Sequence, residues 1–183
     1  MSAEESSRRK FLISSMTGVS TAWLATNWPA IVQAKEQSQS AVDLAFFTPA
    51  QAAEIDAMSA QIFPSDDTPG AREAQVVYFI DLGLTTFARD AQPIYTQGFQ
   101  DLQGKTKELF PDAKLFSKLT AAQQVQLLTA IEKTPFFKTV RDHTVMGMFA
   151  NPKHGGNYNK VGWKLIGFDD ELSFKPPFGY YDR

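Results

Sequence analysis

The sequence predicts an all-α protein: a single helical domain of about five helices, followed by a glycine- and aromatic-rich irregular C-terminal segment. Three observations carry this. Thr48-Pro49-Ala50-Gln51 and Thr120-Ala121-Ala122-Gln123 are capping-box starts, each followed by apolar residues at helical spacing. No stretch shows the apolar–polar alternation of a half-buried strand. Beyond residue 150 glycine, proline and aromatic residues interrupt any helical period.

The first helix starts at Thr48 with proline in its first turn, and Ile55, Met58 and Ile62 form its inner stripe. Phe63-Pro64-Ser65-Asp66-Asp67-Thr68-Pro69-Gly70 breaks it. A second helix is predicted from about Arg72 to Arg89, with Val76, Phe79, Ile80 and Phe87 inward. A third follows Pro93 and carries Tyr95, Phe99, Leu102 and Leu109. The fourth follows Thr120, with Val125, Leu128 and Ile131. The fifth follows Thr134-Pro135, with Phe137, Val140, Thr144 and Met148. Asn151-Pro152-Lys153-His154-Gly155-Gly156-Asn157-Tyr158 cannot continue a helix, and Gly162, Gly167 and Phe174-Lys175-Pro176-Pro177-Phe178-Gly179-Tyr180-Tyr181 point the same way. Ordering such a tail costs conformational entropy, so it must pack on the domain or on another protein.

The N-terminus has a different logic. Ser7-Arg8-Arg9-Lys10-Phe11-Leu12 has the pattern of a twin-arginine export signal, with Arg8, Arg9, Phe11 and Leu12 as its address. A moderately apolar stretch to Val32 follows. Val32-Gln33-Ala34 supplies the small residues that a signal peptidase reads, which places cleavage after Ala34. The stretch is long enough to span a bilayer, but it is polar and contains Pro29. The expected organisation is a leader at 1–34, a linker at 35–45 and the helical domain with its tail at 46–183. The twin-arginine translocase, which moves folded cargo, is the first expected partner, and the expected destination is the periplasm.

Residues 35–183 are enough for one domain with a sizeable core. The formal net charge of −2 and the lack of a basic stripe argue against nucleic acid as a partner. With no cysteine, the chain has no disulfide, no thiolate zinc site, no cysteine-ligated iron–sulfur cluster and no covalent c-type haem. Fifteen phenylalanines exceed what a small core requires and leave some for a partner surface.

Candidate chemistry is sparse. His143 and His154 are the only histidines. With a carboxylate such as Asp142 or the Asp169-Asp170-Glu171 cluster they could form a metal site, but their spacing matches no familiar ligand motif. The plainer expectation is that His143 packs or caps in a helix and that His154 makes a loop hydrogen bond. No G-x-S-x-G or G-x-G-x-x-G occurs. Gly155-Gly156-Asn157 reads as a turn that uses positive φ, with Gly156 the candidate. Asp66 and Asp67 are expected to cap or bound a helix. The sequence therefore assigns no catalytic, cofactor-binding or metal-binding residue to this chain.

Three segments carry a family resemblance. They are His143-Thr144-Val145-Met146-Gly147-Met148-Phe149-Ala150-Asn151-Pro152, then His154-Gly155-Gly156-Asn157, then Val161-Gly162-Trp163-Lys164-Leu165-Ile166-Gly167-Phe168. Together they resemble the gluconate 2-dehydrogenase subunit 3 family. Phe47-Thr48-Pro49 and Ile62-Phe63-Pro64 are similar to its N-terminal helix and following loop, so the resemblance covers roughly residues 44–170. It implies a non-catalytic small subunit beside a large GMC-type flavoprotein that binds FAD and oxidises a sugar or sugar acid: gluconate, glucose or a glycoside at its 3-position. A multihaem cytochrome c subunit often accepts the electrons, and the complex can thereby be membrane-associated. The large subunit often lacks an export signal, which the small subunit then supplies for both. The expected partner surface comprises His143, Phe149, His154, Gly155, Gly156, Asn157, Gly162, Trp163 and Phe168, together with the tail. Trp163 fits either that surface or the subunit's own core. Two other classes stay open at this level. One is a stand-alone periplasmic enzyme using a histidine and a carboxylate. The other is a sugar-binding module with Trp163 and Tyr158 as stacking platforms.

Overall fold

The computed structural model describes residues 44–171 and Ser173, so the leader, including Arg8, Arg9, Phe11 and Leu12, and the tail from Phe174 lie outside the described residues. Every regular element among the described residues is helical. The α-helices are α1 (Pro49–Ile62), α2 (Val76–Thr85), α3 (Gln92–Leu109), α4 (Ala121–Ile131), α5 (Pro135–Phe149) and the short α6 (Val161–Leu165). Single 3-10 turns lie at Arg89–Ala91, Phe116–Lys118, Pro152–His154 and Tyr158–Lys160. No helix among these residues is long and apolar enough to cross a membrane.

Local chemistry sets the helix starts. Thr48 and Thr120 both form full capping boxes: each hydroxyl accepts from the backbone of Gln51 or Gln123, and that glutamine accepts from the threonine N–H. Thr134 caps α5 by accepting from Phe137 N–H at 3.2 Å, with Pro135 in the first turn. Such a cap is worth about 1 kcal/mol.

The second helix is shorter than the sequence predicts. Residues 71–75 form turns, Gln75 sits at φ 54°, and α2 begins only at Val76. Glu73 turns back to accept from Gly70 N–H at 2.8 Å, which removes it from the helix. At the other end the Gly83 carbonyl accepts from both Thr86 and Ala88, so α2 stops at Thr85 and Arg89 joins a 3-10 turn. Phe87, expected inward, is 53% exposed and leans on Phe79 with ring centres 5.6 Å apart. Val125 is exposed as well; the buried face of α4 is Gln124, Leu127, Leu128 and Ile131. Asp66 closes a local turn over Thr68, accepting from its N–H and hydroxyl, and caps no helix.

Helix α5 is the hub, packing against α1, α2, α3 and α6. Val140, Thr144 and Met148 face inward on it and are fully buried. Around them close Ile55 and Met58 from α1, Val76 and Ile80 from α2, and Tyr95 from α3. Two polar side chains in this core pair with each other, which offsets the cost of burying them. Ser59 and Thr144 share a hydroxyl–hydroxyl bond of 3.0 Å, and the Thr144 hydroxyl also meets the Val140 carbonyl.

Two buried carboxylates fasten distant loops, and neither was singled out from the sequence. Glu54 of α1 accepts from Phe116 and Ser117 N–H at 2.9 and 3.0 Å. Asp81 of α2 accepts from three consecutive N–H groups, those of Ala45, Phe46 and Phe47, at 2.6, 3.0 and 2.7 Å. Ala45, at the end of the expected linker, is thus tied into the compact unit that starts at Leu44.

Candidate functional site

The last carbonyls of a helix have no partner within it. For α5 the following segment supplies partners. The chain leaves at Ala150, passes the 3-10 turn at Pro152–His154 and returns across the end of α5. Asn157 is fully buried; its Nδ2 donates to the Ala150 carbonyl at 2.9 Å and its Oδ1 accepts from Gly162 N–H at 2.8 Å. Trp163 Nε1 donates to the Phe149 carbonyl at 2.8 Å. Tyr158 N–H donates to the Ala74 carbonyl at 3.1 Å, which joins the segment to the turn before α2.

Close backbone approach explains two glycines. A Cβ on Gly156 would lie 2.3 Å from the Gly147 carbonyl oxygen, and one on Gly162 would lie 1.9 Å from that of Met148. Positive φ falls one residue to either side of the expected Gly156, at Gly155 (95°) and Asn157 (48°). Asn159 and Lys160 are left-handed too, at 53° and 58°. Gly162 does not break the chain into a loop; it lies inside α6.

The expected surface residues therefore separate into two groups. Gly156, Asn157, Gly162 and Trp163 are buried and hold the segment on α5. Phe149 is half-buried against Phe63, with ring centres 5.9 Å apart. Gly155 is half-buried, and Phe168 is 49% exposed and edge-on to Trp163 at 5.0 Å. Tyr158, Leu165 and Ile166 are exposed beside them; apart from Tyr158, weighed as a sugar platform, sequence reasoning did not pick these out. Their signal was present, since Leu165-Ile166 follows the glycine-tryptophan pair with no room to complete a buried stripe.

The two histidines have separate partners. His143 Nδ1 meets the Tyr95 hydroxyl at 3.0 Å, and the two rings stack at 5.8 Å. Burial pushes the Tyr95 hydroxyl well above the usual phenol range. Burial also holds His143 below the usual imidazole value, with Asp142 and Asp90 opposing that shift. His154 lies edge-on to Phe87 at 6.4 Å. Asp170 pairs with Lys160 at 2.9 Å and Asp142 with Arg141 at 3.0 Å. Among the described residues no group of three or more histidine or acidic side chains could hold a metal ion. Two surface concavities, of about 610 and 390 Å³, share no residue with the 151–168 segment.

The described residues form a small all-helical domain whose most elaborated feature is a cap, with several left-handed residues, seated on its central helix. The family model for gluconate 2-dehydrogenase subunit 3 matches residues 49–170, from α1 through the cap, and the chain belongs to that family. Membership makes it an accessory subunit of a dehydrogenase complex. No curated protein and no solved structure matches the chain.

Proposed function

We propose that this chain is the non-catalytic small subunit that stabilises and co-exports an FAD-dependent, GMC-type dehydrogenase of a sugar or sugar acid. In this reading the flavin belongs to the partner, the pair is assembled before export, and the twin-arginine translocase delivers both to the periplasm. A multihaem cytochrome c subunit is the expected acceptor of the electrons. The observation that carries the proposal is the coincidence of a subunit-family match over residues 49–170 with Arg8-Arg9-Lys10-Phe11-Leu12 at the N-terminus. An address for folded cargo, on a chain with no nucleotide-binding glycine motif of its own, suits an escort. The buried, internally bonded Trp163 also speaks against an open stacking platform for a sugar.

The experiment is fractionation of cells that express both chains. Arg8→Lys with Arg9→Lys should leave this chain and its flavoprotein partner together in the cytoplasm. A partner that still reaches the periplasm would remove the escort role.

A further inference from the structure

An aromatic tail must pack on the domain or on another protein, and the domain has a place for it. Asp170 is paired with Lys160 at 2.9 Å, and the Phe168 ring rests on Trp163 at 5.0 Å. Trp163 in turn holds the Phe149 carbonyl. The chain therefore departs from the C-terminal end of α5. Its continuation, Phe174-Lys175-Pro176-Pro177-Phe178-Gly179-Tyr180-Tyr181, carries four aromatic rings and a single charge, that of Lys175.

At the other end of α5 a groove of about 390 Å³ lies open between α3 and the α4–α5 corner. Leu102, Ile131 and Phe136, all buried, form its floor; Pro93 and Pro135, both exposed, form its lips. Gly98 lets the Phe136 ring lie against α3, since a Cβ there would strike it. A hollow of this size and character suits an apolar occupant. Asp101 is the one charged residue on the lining. It accepts from Gln97 at 2.9 Å and makes no ion pair among the described residues. An acid on the groove thus faces a tail whose aromatic stretch carries one base. The larger concavity, of about 610 Å³, touches no residue of α5.

Reach connects the tail to the groove. Helix α5 has 15 residues, a length of about 22 Å. Eight residues separate Asp170 from Phe178, about 25 Å in the polyproline II geometry that consecutive prolines favour. Phe174, four residues on, falls short. Pro176 and Pro177 have fixed φ, which lowers the entropy lost on docking. The route is laid out on α5 itself. Met146, Asp142, Thr139 and Pro135 recur at one-face spacing. Their neighbour His143 meets Tyr95, so this edge runs beside α3 toward the groove.

We infer that the tail straps back along α5 and seats Phe178 in the groove between α3 and the start of α5. The occupant is this chain's own segment, so the cap and the strap close opposite ends of the same helix. The inference stands apart from the small-subunit reading.

The chain has no native cysteine, so introduced pairs report proximity without background. In the purified full chain, Gln97→Cys at the groove and Gly179→Cys in the tail should be joined by a short bis-maleimide. Adding Phe178→Ser to that pair should abolish the link. Lys118→Cys with Gly179→Cys, across the larger concavity, should give none. Gln97 and Lys118 are both exposed, so neither cysteine disturbs the core. A second measurement leaves the tail unaltered. Chymotrypsin should cut after Phe178 more slowly in the wild-type than in Pro135→Asp, which puts a carboxylate on the groove's lip at a first-turn position where helices tolerate an acid. A link that survives Phe178→Ser, or that forms equally at Lys118→Cys, overturns the inference. So does a tail that links to neither position and is cut equally fast in both chains. Protection that appears only once the flavoprotein is added places the tail on the partner and overturns it too, while leaving the subunit role intact.

Discussion

Tyr95 is fully buried, and its hydroxyl meets His143 Nδ1 at 3.0 Å. Because burial keeps the phenol protonated, a neutral His143 can accept that proton's hydrogen bond at Nδ1. A protonated His143 cannot: both ring nitrogens are then donors. The shift of His143 below its ordinary value has burial as its main cause. The sign of the linkage follows. The unfolded chain, with a histidine near its ordinary value of about 6.5, binds the proton more readily than the folded one, so stability rises with pH across that window. The group carries no penalty above pH about 6.5, and stability is lost as pH falls below it. Urea unfolding at pH 7.5 and pH 5 should show a steeper loss in the wild-type than in His143→Gln, whose amide does not titrate. Equal slopes would mean that this contact does not sense pH. Nothing in the sequence revealed the pairing, because residues 95 and 143 meet only when α3 packs on α5.

Helix α5 and its cap act as one element, and its sequence was half legible. The starts of α1, α4 and α5 could be read directly, since a threonine cap and its glutamine or proline lie within four residues. The turn at Gly155-Gly156-Asn157 was legible as a turn, but not which residue takes positive φ. The carbonyls of Gly147 and Met148 set a different demand, admitting only a bare Cα at Gly156 and Gly162, neither of which takes positive φ. The start of α2 was hidden for a similar reason: Gln75 turns left-handed because of its neighbours, not its own preference. Asn157 is where the element is most vulnerable. Asn157→Ala removes both of its bonds and strands the Ala150 carbonyl and the Gly162 N–H. At about 1–3 kcal/mol for each unsatisfied buried group, the loss should be about 2–6 kcal/mol. Asn159→Gly, at an exposed left-handed site, should be neutral or stabilise slightly. Thermal melting of both variants decides. An Asn157→Ala protein that melts with the wild-type would show that the cap is not latched through this residue.

At the scale of the domain, two buried acidic residues tie the segment before the first helix and the 116–117 turn to the core, and this is what sequence periodicity could not show. Asp81 sits in Val-Val-Tyr-Phe-Ile-Asp-Leu-Gly-Leu-Thr, where a charge contradicts burial unless distant donors satisfy it. Those donors, 34 to 36 residues earlier, lie just after Leu44, where the compact unit begins. Phe47, next to them, is 4% exposed and packs on Tyr95 and Phe99 with ring centres 5.7 and 5.8 Å away. The structural start of the domain is therefore set by Asp81, ahead of the first helix. Chains beginning at Lys35 and at Asp43 should melt together. A chain beginning at Thr48 keeps α1 and its cap but loses Phe47 and all three donors. Deleting a buried phenylalanine costs about 3–5 kcal/mol, and leaving a buried charge without partners costs a similar amount. At roughly 3–5 °C per kcal/mol for a domain of this size, the midpoint should fall by at least about 10 °C. Asp81→Asn gives an independent check on the cause, because an amide must turn its NH2 toward one of the backbone donors; it should reproduce part of the fall with the N-terminal residues present. Calorimetry or circular dichroism melts of the four proteins suffice. If the Thr48 chain melts within a few degrees of the Lys35 chain, the carboxylate does not anchor the domain. If the Lys35 and Asp43 chains differ, residues 35–42 contribute to its stability and the boundary lies further upstream.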